Sequence, residues 1–595
     1  MKIKKKTNFI KVFRLLTFYP FLLPIWQESY FTTENTAYNV PTFITNEQLT
    51  EQRDFYLQIQ DPNIRSRIVK SFYQCENPSM EKVLTLMAEK EKDPIVLSDI
   101  LHAFYTKSLK FSNIPLLKEM MKSEIPSLRG YSAYLYLDSA SSTDDVFDFL
   151  KREQDEFVAR IVWNKLSSLR KDLCKKDKLN SLINNIPSFQ KQFVLALLTD
   201  ITEKPDEEIL IIETLKKGTI EEKISIAGAL ARRTDAGHSL LAKLSEDPDT
   251  RIRHTVAGSK FSTERLSYLL KLASDPVPAI RYLAVKSLSE SPSLPDAVNA
   301  IISRLGDEDY LVRTEAENGL IALNIGDEYL SKVLDKLNDN NATASAIRVL
   351  GELKYQPSAE KIRKIILETN IPEIRRRSAI ALGRLKYKEA ADEIAKFAKD
   401  NDKSVRTAVA YALGQIKVQN TFNIIADLAL DKEPEVSAEA SMAIYEIGDS
   451  FFIKTIVENL KRVKENYLIR SAAVKAASAQ ITAPNEIVKA LKKAALEKTI
   501  PTEMGPVFDM DQVRGGAAWA LVEITKKNKD IIEETKQVLK MLQTPPEKQD
   551  DRFVSSEFLI DCAKQAQAYM EDKEPTQSEI TPSSPVLIIR KIKGE

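Results

Sequence analysis

Along most of this chain apolar residues recur three, four and seven positions apart, and short polar turns interrupt them at a near-constant interval. The plainest copies read DPVPAIRYLAVKSLSE from Asp275, DEDYLVRTEAENGLIA from Asp307 and DNDKSVRTAVAYALGQ from Asp400. Each opens on an acidic or Pro-containing turn, continues with an aliphatic residue and an Arg, and places a Leu seven positions after the Arg. With that Arg as anchor, the frame extends back through Arg253, Lys223, Gln190, Ala159, Arg129, Leu97 and Arg65. From Arg281 it runs on through Arg313, Thr343, Arg375, Arg406, Ser437, Arg470 and Arg514. Thirteen steps between neighbouring anchors are 28–33 residues long, and the last is 44. The residue before the anchor is apolar in 14 of 15 frames, Glu222 being the exception. The residue seven after it is apolar in 14 of 15, Lys260 being the exception.

A period near 31 accommodates two helices of about 12 residues, each roughly 18 Å long, with two turns. On the second helix of each unit, positions −1, +3, +4 and +7 fall on one face and form an apolar stripe. One unit cannot bury that stripe alone, and stacked units build a continuous core. The expected fold is all-α, a right-handed α-α superhelical solenoid of about fifteen two-helix repeats over residues 45–545. An N-terminal segment (1–44), a capping helix within 546–572 and a flexible tail (573–595) flank it. Small residues such as Ala379, Ala410 and Ala440 let neighbouring helices approach. Asp247, Asp275, Asp307, Asp400 and Asp431 stand six before their anchors and are expected as helix N-caps, with Pro suited to the first helical position. The anchor Arg is expected to reach the Asp of its own or the next turn, a structural ladder rather than a phosphate-binding stripe.

The pattern D-P-x-x-x-[VI]-R-x-x-A-A-x-A-L-G is matched best by Ile374-Arg375 through Ala381-Leu382-Gly383 and by Val405-Arg406 through Ala412-Leu413-Gly414. It resembles the HEAT repeat, especially the short bacterial form often called phycobilin-lyase-like. The resemblance covers about residues 50–545 and implies the solenoid fold. It is weak for function, because such repeats serve many partners, and nothing matches a chromophore lyase in particular.

Composition narrows the function. Gly is scarce at 16 residues, in keeping with long helices. The 86 basic and 85 acidic residues leave a net charge of +1, without the basic excess usual in nucleic-acid binders. Three cysteines, Cys75, Cys174 and Cys562, are too few for a disulfide framework. At the N-terminus Lys2, Lys4, Lys5, Lys6, Lys11 and Arg14 precede the uncharged run Leu15 to Trp26. A basic stretch followed by a short apolar one describes an export signal, and 12 residues are too few to span a bilayer, which needs about 20. The expected location is therefore the cell envelope, periplasmic or secreted, with membrane association through this segment or a cytoplasmic place as alternatives.

Chemistry is sparse. There is no phosphate-binding G-x-x-x-x-G-K-[ST] loop and no G-x-S-x-G elbow. His102, His238 and His254 never stand four apart and lack the following Glu of the HEAT-fold iron hydroxylases; they are expected at the surface, and no metal or cofactor is assigned. The expected role is non-enzymatic: a scaffold binding a protein or peptide on its inner surface. A nucleic-acid-binding or repair solenoid and an accessory subunit of an enzyme complex are the alternatives. Position +5 of the second helix lies about 140° from the anchor, whereas the core positions centre near 340°, so +5 faces the inner surface. That column is polar at Lys70, His102, Asn164, Lys286, Asn318, Arg348 and Lys475, and apolar in three adjacent units, at Ile380, Tyr411 and Met442. Trp519 holds the same place in the last unit, beside an inserted segment, Thr499–Gln512, expected as a loop. Ile380, Tyr411, Met442 and Trp519, with Arg376 and Arg377 on the rim, are the expected binding residues. A terminal strip, VLIIRKIKGE, follows the Pro/Ser/Thr-rich tail as a second candidate contact.

Overall fold

The computed structural model describes residues 42–43, 45–140, 143–169, 173–291, 294–462, 467–480, 485–496, 507–544 and 557–571. The signal-like segment, the tail from 573 with its terminal strip, and the insertion before Val507 lie outside these residues. The chain divides into two compact units, Met1–Thr202 and Glu203–Glu595. Among the described residues the elements are helical, apart from a two-residue parallel bridge of Thr42–Phe43 with Cys75–Glu76.

Each unit is a stack of helix pairs, and the second helices carry the anchors, except that Gln190 stands just before its helix. In the first unit they are α1 (Pro62–Ser71), α2 (Pro94–Lys107), α3 (Pro126–Ser139), α4 (Glu156–Leu169) and α5 (Lys191–Ile201). In the second they are α6 (Ile220–Arg232), α7 (Thr250–Ala257), α8 (Pro278–Ser289), α9 (Tyr310–Ala322) and α10 (Thr343–Glu352). There follow α11 (Pro372–Arg384), α12 (Lys403–Ile416), α13 (Pro434–Ile447), α14 (Tyr467–Ser478) and α15 (Val507–Lys527). Another helix precedes each of them, shorter in every pair but the first, and forms the other layer. The apolar positions before the anchor and seven after it are buried along most of both stacks, as at Val96 and Phe104, or Val405 and Leu413, with Phe189 half-buried.

Two departures from the pattern have physical causes. Ile64, in the first frame, is exposed; among the described residues no earlier second helix covers it. Lys260 is exposed because α7 stops at Ala257, and the shortest step of the chain follows. There Arg265, fully buried, donates to the carbonyls of Leu230, Ala231 and Arg233, so a guanidinium caps the C-terminus of α6.

The turns assign the acidic residues differently from the expectation. The N-caps are Asp249, Asp309 and Asp402, four before the anchor, and the prolines that open helices stand three before it, as in Pro278, Pro372 and Pro434. The Asp six before the anchor is instead the receiving end of the ladder. Arg253 reaches Asp275 at 2.8 Å, Arg281 reaches Asp307 at 2.7 Å, Arg375 reaches Asp400 at 2.7 Å and Arg406 reaches Asp431 at 2.8 Å. Each of these carboxylates also accepts the amide two residues on, as Asp307 does from Asp309. Arg253, Arg281 and Arg406 further bond the carbonyl six residues back in their own turns at 2.8–2.9 Å. One rung therefore ties two successive turns together. In the first unit Arg65–Glu91 and Arg129–Glu153 repeat it with Glu.

Successive second helices approach closely because glycine meets alanine. An added Cβ at Gly351 would lie 2.6 Å from Cβ of Ala381; at Gly383, 2.7 Å from Cα of Ala412; and at Gly414, 2.5 Å from Cβ of Ala443. The A-L-G ending of the repeat is thus a backbone-to-backbone contact between α10, α11, α12 and α13.

A last helix lies within the segment expected to cap the second unit. Residues Ile532–Leu542 and α16 (Glu557–Met570) form a further pair, with Leu559, Ala563 and Ala566 buried against α15. Part of the segment expected as an inserted loop is helical: Val507–Gln512 opens α15.

Candidate functional site

The second-helix layer of the second unit holds a groove of about 380 Å³ over α9, α10 and α11. Its origin is local. α9 and α11 begin three residues before their anchors, while regular helix in α10 begins at its anchor, Thr343, after an irregular first turn in which the amides of Ala342 and Thr343 both donate to the Asp339 carbonyl. The sequence there, Asn338 to Thr343, has neither the opening Pro nor the Arg, and Leu337 stands where the next rung's Asp would be. Arg313 has no carboxylate to reach at that place and bonds the carbonyls of its own turn at 2.7 and 3.1 Å.

Arg377 bridges α9, α10 and α11. Its Nη1 donates to Oε1 of Glu317 at 2.7 Å, two units back, and to the Ala344 carbonyl at 3.1 Å, while its Nε bonds Glu373. Glu317 is only 2% exposed at a stripe position where the other units carry apolar residues or Ser; Arg348 supplies its second partner at 2.5 Å. Arg348 also donates to Asn318 at 2.9 Å. The remaining rim is looser. Arg376 is 32% exposed and pairs with Glu373 through Nε and Nη2; Arg384 is 30% exposed and pairs with Glu352. Ile380 lies between them on α11 and lines the same groove.

The expected binding residues are therefore only partly gathered. Arg376, Arg377 and Ile380 share the groove. Tyr411 on α12 and Met442 on α13 hold the equivalent place on the next two helices, half-buried rather than open. Trp519 is set apart: its ring packs 5.5 Å from that of Tyr569, so α16 covers it. Glu317, Arg348 and Arg384 were not expected to join the site; the one signal in the sequence is a charged Glu at a stripe position that is uncharged in every other unit. Polar +5 residues such as Lys286 and Asn318 are exposed, in keeping with a column that faces away from the core.

The first unit carries an aromatic cluster on the same layer. His102 stacks on Tyr131 and packs edge-on against Tyr73, each at 5.0 Å, and Tyr105 meets Tyr134 at 4.8 Å. Lys165 sits 4.0 Å over the Tyr134 ring and pairs with Asp138 at 2.7 Å. The histidines expected at the surface are half-buried, and burial lowers the pKa of His102 and of His254. Arg265 reaches His238 at 3.4 Å. No group of His, Cys, Asp and Glu among the described residues has a metal-binding arrangement.

The family model for HEAT repeats matches residues 239–321, 328–414 and 359–445. Over these residues the chain carries HEAT repeats. The register of the HEAT repeats continues beyond the matched residues, in the Arg–Glu rungs of the first unit and the anchors of α14 and α15. Among solved structures, the chain is similar to yeast importin-beta at 12% identity and a TM-score of 0.49, covering 89% of this chain and 73% of that one. It is also similar to an engineered protein at 18% identity and a TM-score of 0.30, over 56% of this chain and 98% of the other. The complex of CpcE and CpcF of phycocyanin lyase from Nostoc sp. PCC7120 matches at 18% identity and a TM-score of 0.27, over 38% and 92%. Comparison with curated proteins finds no match.

Proposed function

We propose that this protein is a non-enzymatic scaffold that binds a protein or peptide on the second-helix layer of residues 310–447. The observation carrying the reading is the groove over α9, α10 and α11, with the half-buried apolar side chains Ile380, Tyr411 and Met442 in one register beside it. Concave sites that combine apolar walls with a few placed polar groups are the usual form of binding sites, and Arg and aromatic residues are favoured as contact hot spots. Photocrosslinking tests it. A photoreactive side chain at Tyr411 should capture a partner, and one at Asp427, on the first-helix layer, should not. Changing Ile380, Tyr411 and Met442 together to Ser should abolish capture from a neighbouring site while the helical content persists. Capture from both layers alike, or a triple variant that binds as before, would remove this surface from the account. The basic and apolar N-terminus supports export; an intact Met1 in a soluble cytosolic fraction, seen by mass spectrometry, would overturn that part.

A further inference from the structure

Resting on that reading, we infer the chemistry of the partner: the groove takes an extended acidic peptide segment, with two carboxylates flanking an apolar side chain. Charge comes first. Four arginines (348, 376, 377 and 384) and two glutamates, Glu317 and Glu352, line the groove, a difference of 4 − 2 = +2 in a chain whose net charge is only +1. Including Glu373, which pairs with Arg376 and Arg377, still leaves +1. The arginines also divide by role. Arg348 and Arg377 are committed to the buried Glu317 and fix the floor. Arg376 pairs with Glu373 and also lies close enough to Asp402 to stabilise its carboxylate, and Arg384 pairs with Glu352. Nε and Nη2 of Arg376 bond Glu373, which leaves Nη1, and Nη1 of Arg384 faces Glu352, which leaves Nε and Nη2, as the donors an incoming acceptor would engage. A guanidinium fork suits a carboxylate.

Spacing sets the pattern. Arg376 and Arg384 are eight residues apart on α11, about 12 Å along its axis at 1.5 Å per residue. An extended peptide advances about 3.3 Å per residue, so acidic side chains four residues apart match that separation. Ile380 lies midway between the two arginines and meets the residue between the acidic pair. A nucleic-acid backbone fits less well. It presents an unbroken row of phosphates, which the interleaved Glu317, Glu352 and Glu373 would oppose, whereas a peptide carries negative charge only at the two arginine positions.

The test uses the full chain and a labelled peptide, Ser-Glu-Ser-Leu-Ser-Glu-Ser, followed by fluorescence anisotropy at low ionic strength. Saturable binding is expected, weakened roughly tenfold or more by Arg376→Gln with Arg384→Gln, and lost when both Glu of the peptide become Gln. The charge-reversed variant, Arg376→Glu with Arg384→Glu, should instead accept the peptide bearing Lys at those two places. Absence of binding to the natural chain, equal binding to the double Gln variant, or stronger binding of a thymidine decanucleotide would overturn the proposal. If crosslinking from Tyr411 captures a partner while the acidic peptide fails, only the acidic chemistry falls. If the peptide binds as expected while crosslinking fails, the wider surface falls.

Discussion

Arg281 and Asp307 are 6% and 3% exposed at their side chains, so this rung of the ladder has left water almost entirely. Breaking a buried pair by removing one partner is far more damaging than losing a surface pair, because the remaining charge stays desolvated. Arg281→Met should destabilise the second unit by about 3 kcal/mol, the lower end of the usual range, because Arg304 remains 3.5 Å from Asp307. Lys271→Met, which removes an exposed pair with Glu246, should leave the melting temperature nearly unchanged. The pH dependence has a definite sign. Burial pushes the Asp307 carboxyl up, but hydrogen bonds from Arg281 and the Asp309 amide outweigh it and hold the group below its ordinary value. A carboxyl depressed by folding stabilises above its unfolded pKa, about 3.9 for Asp, and that contribution is lost as pH falls through the folded value. The difference between the natural chain and Arg281→Met should therefore be full at pH 7 and shrink as pH falls below about 4. Hydrogen exchange in α8 and α9, with thermal melts across pH, measures it; a penalty unchanged in acid would show that lost packing, not the charge pair, dominates.

At the scale of a helix, glycines of the same stack have opposite consequences. Gly383 faces the backbone of Ala412, and an added methyl would lie 2.7 Å from its Cα, where no side-chain rotation relieves the clash. Overpacking of this kind costs about 1–3 kcal/mol, more than the ~0.8 kcal/mol that Ala gains over Gly in a helix. Gly228 on α6 meets nothing closer than 3.8 Å. Gly383→Ala should thus lower the melting temperature and Gly228→Ala should raise it, the latter by about 0.5–1 kcal/mol of stability. Equal effects at the two sites would mean that helix propensity, not inter-helix distance, sets these glycines.

At the scale of the molecule, a repeat stack must close its last apolar face. Here α16 does so: Cys562 and Leu559 pack on Gly515, Tyr569 covers Trp519, and Lys526 donates to the Tyr569 carbonyl at 3.0 Å. Ending the chain after Thr544 should leave the α15 face open. Terminal repeats of solenoids maintain solubility, so the shortened protein should self-associate in light scattering and lose exchange protection first in α15. A monodisperse product with α15 fully protected would show that α16 is dispensable.

Local pattern alone determined most of the architecture. The 3.6-residue stripe and the step near 31 place every second helix, since an apolar face that recurs at fixed spacing can be buried only by stacking. The Arg–Asp ladder was legible because both residue types recur in register. Which Asp does which job was not: −6 and −4 are both good cap positions by type, and only the packed turns show that −4 caps its own helix while −6 receives the preceding unit's Arg. The A-L-G ending was visible as a motif, but its reason, a glycine against the next helix's alanine, exists only between helices. The groove was half legible. Arg376, Arg377 and Ile380 stood out by position, yet Glu317 and Arg377 are 60 residues apart. Their meeting depends on how α9, α10 and α11 stack, a relation of three helices that no single helix pattern contains. Trp519 followed the same column rule as Ile380, and its covering by Tyr569 was decided by where α16 packs, long after its own helix had ended.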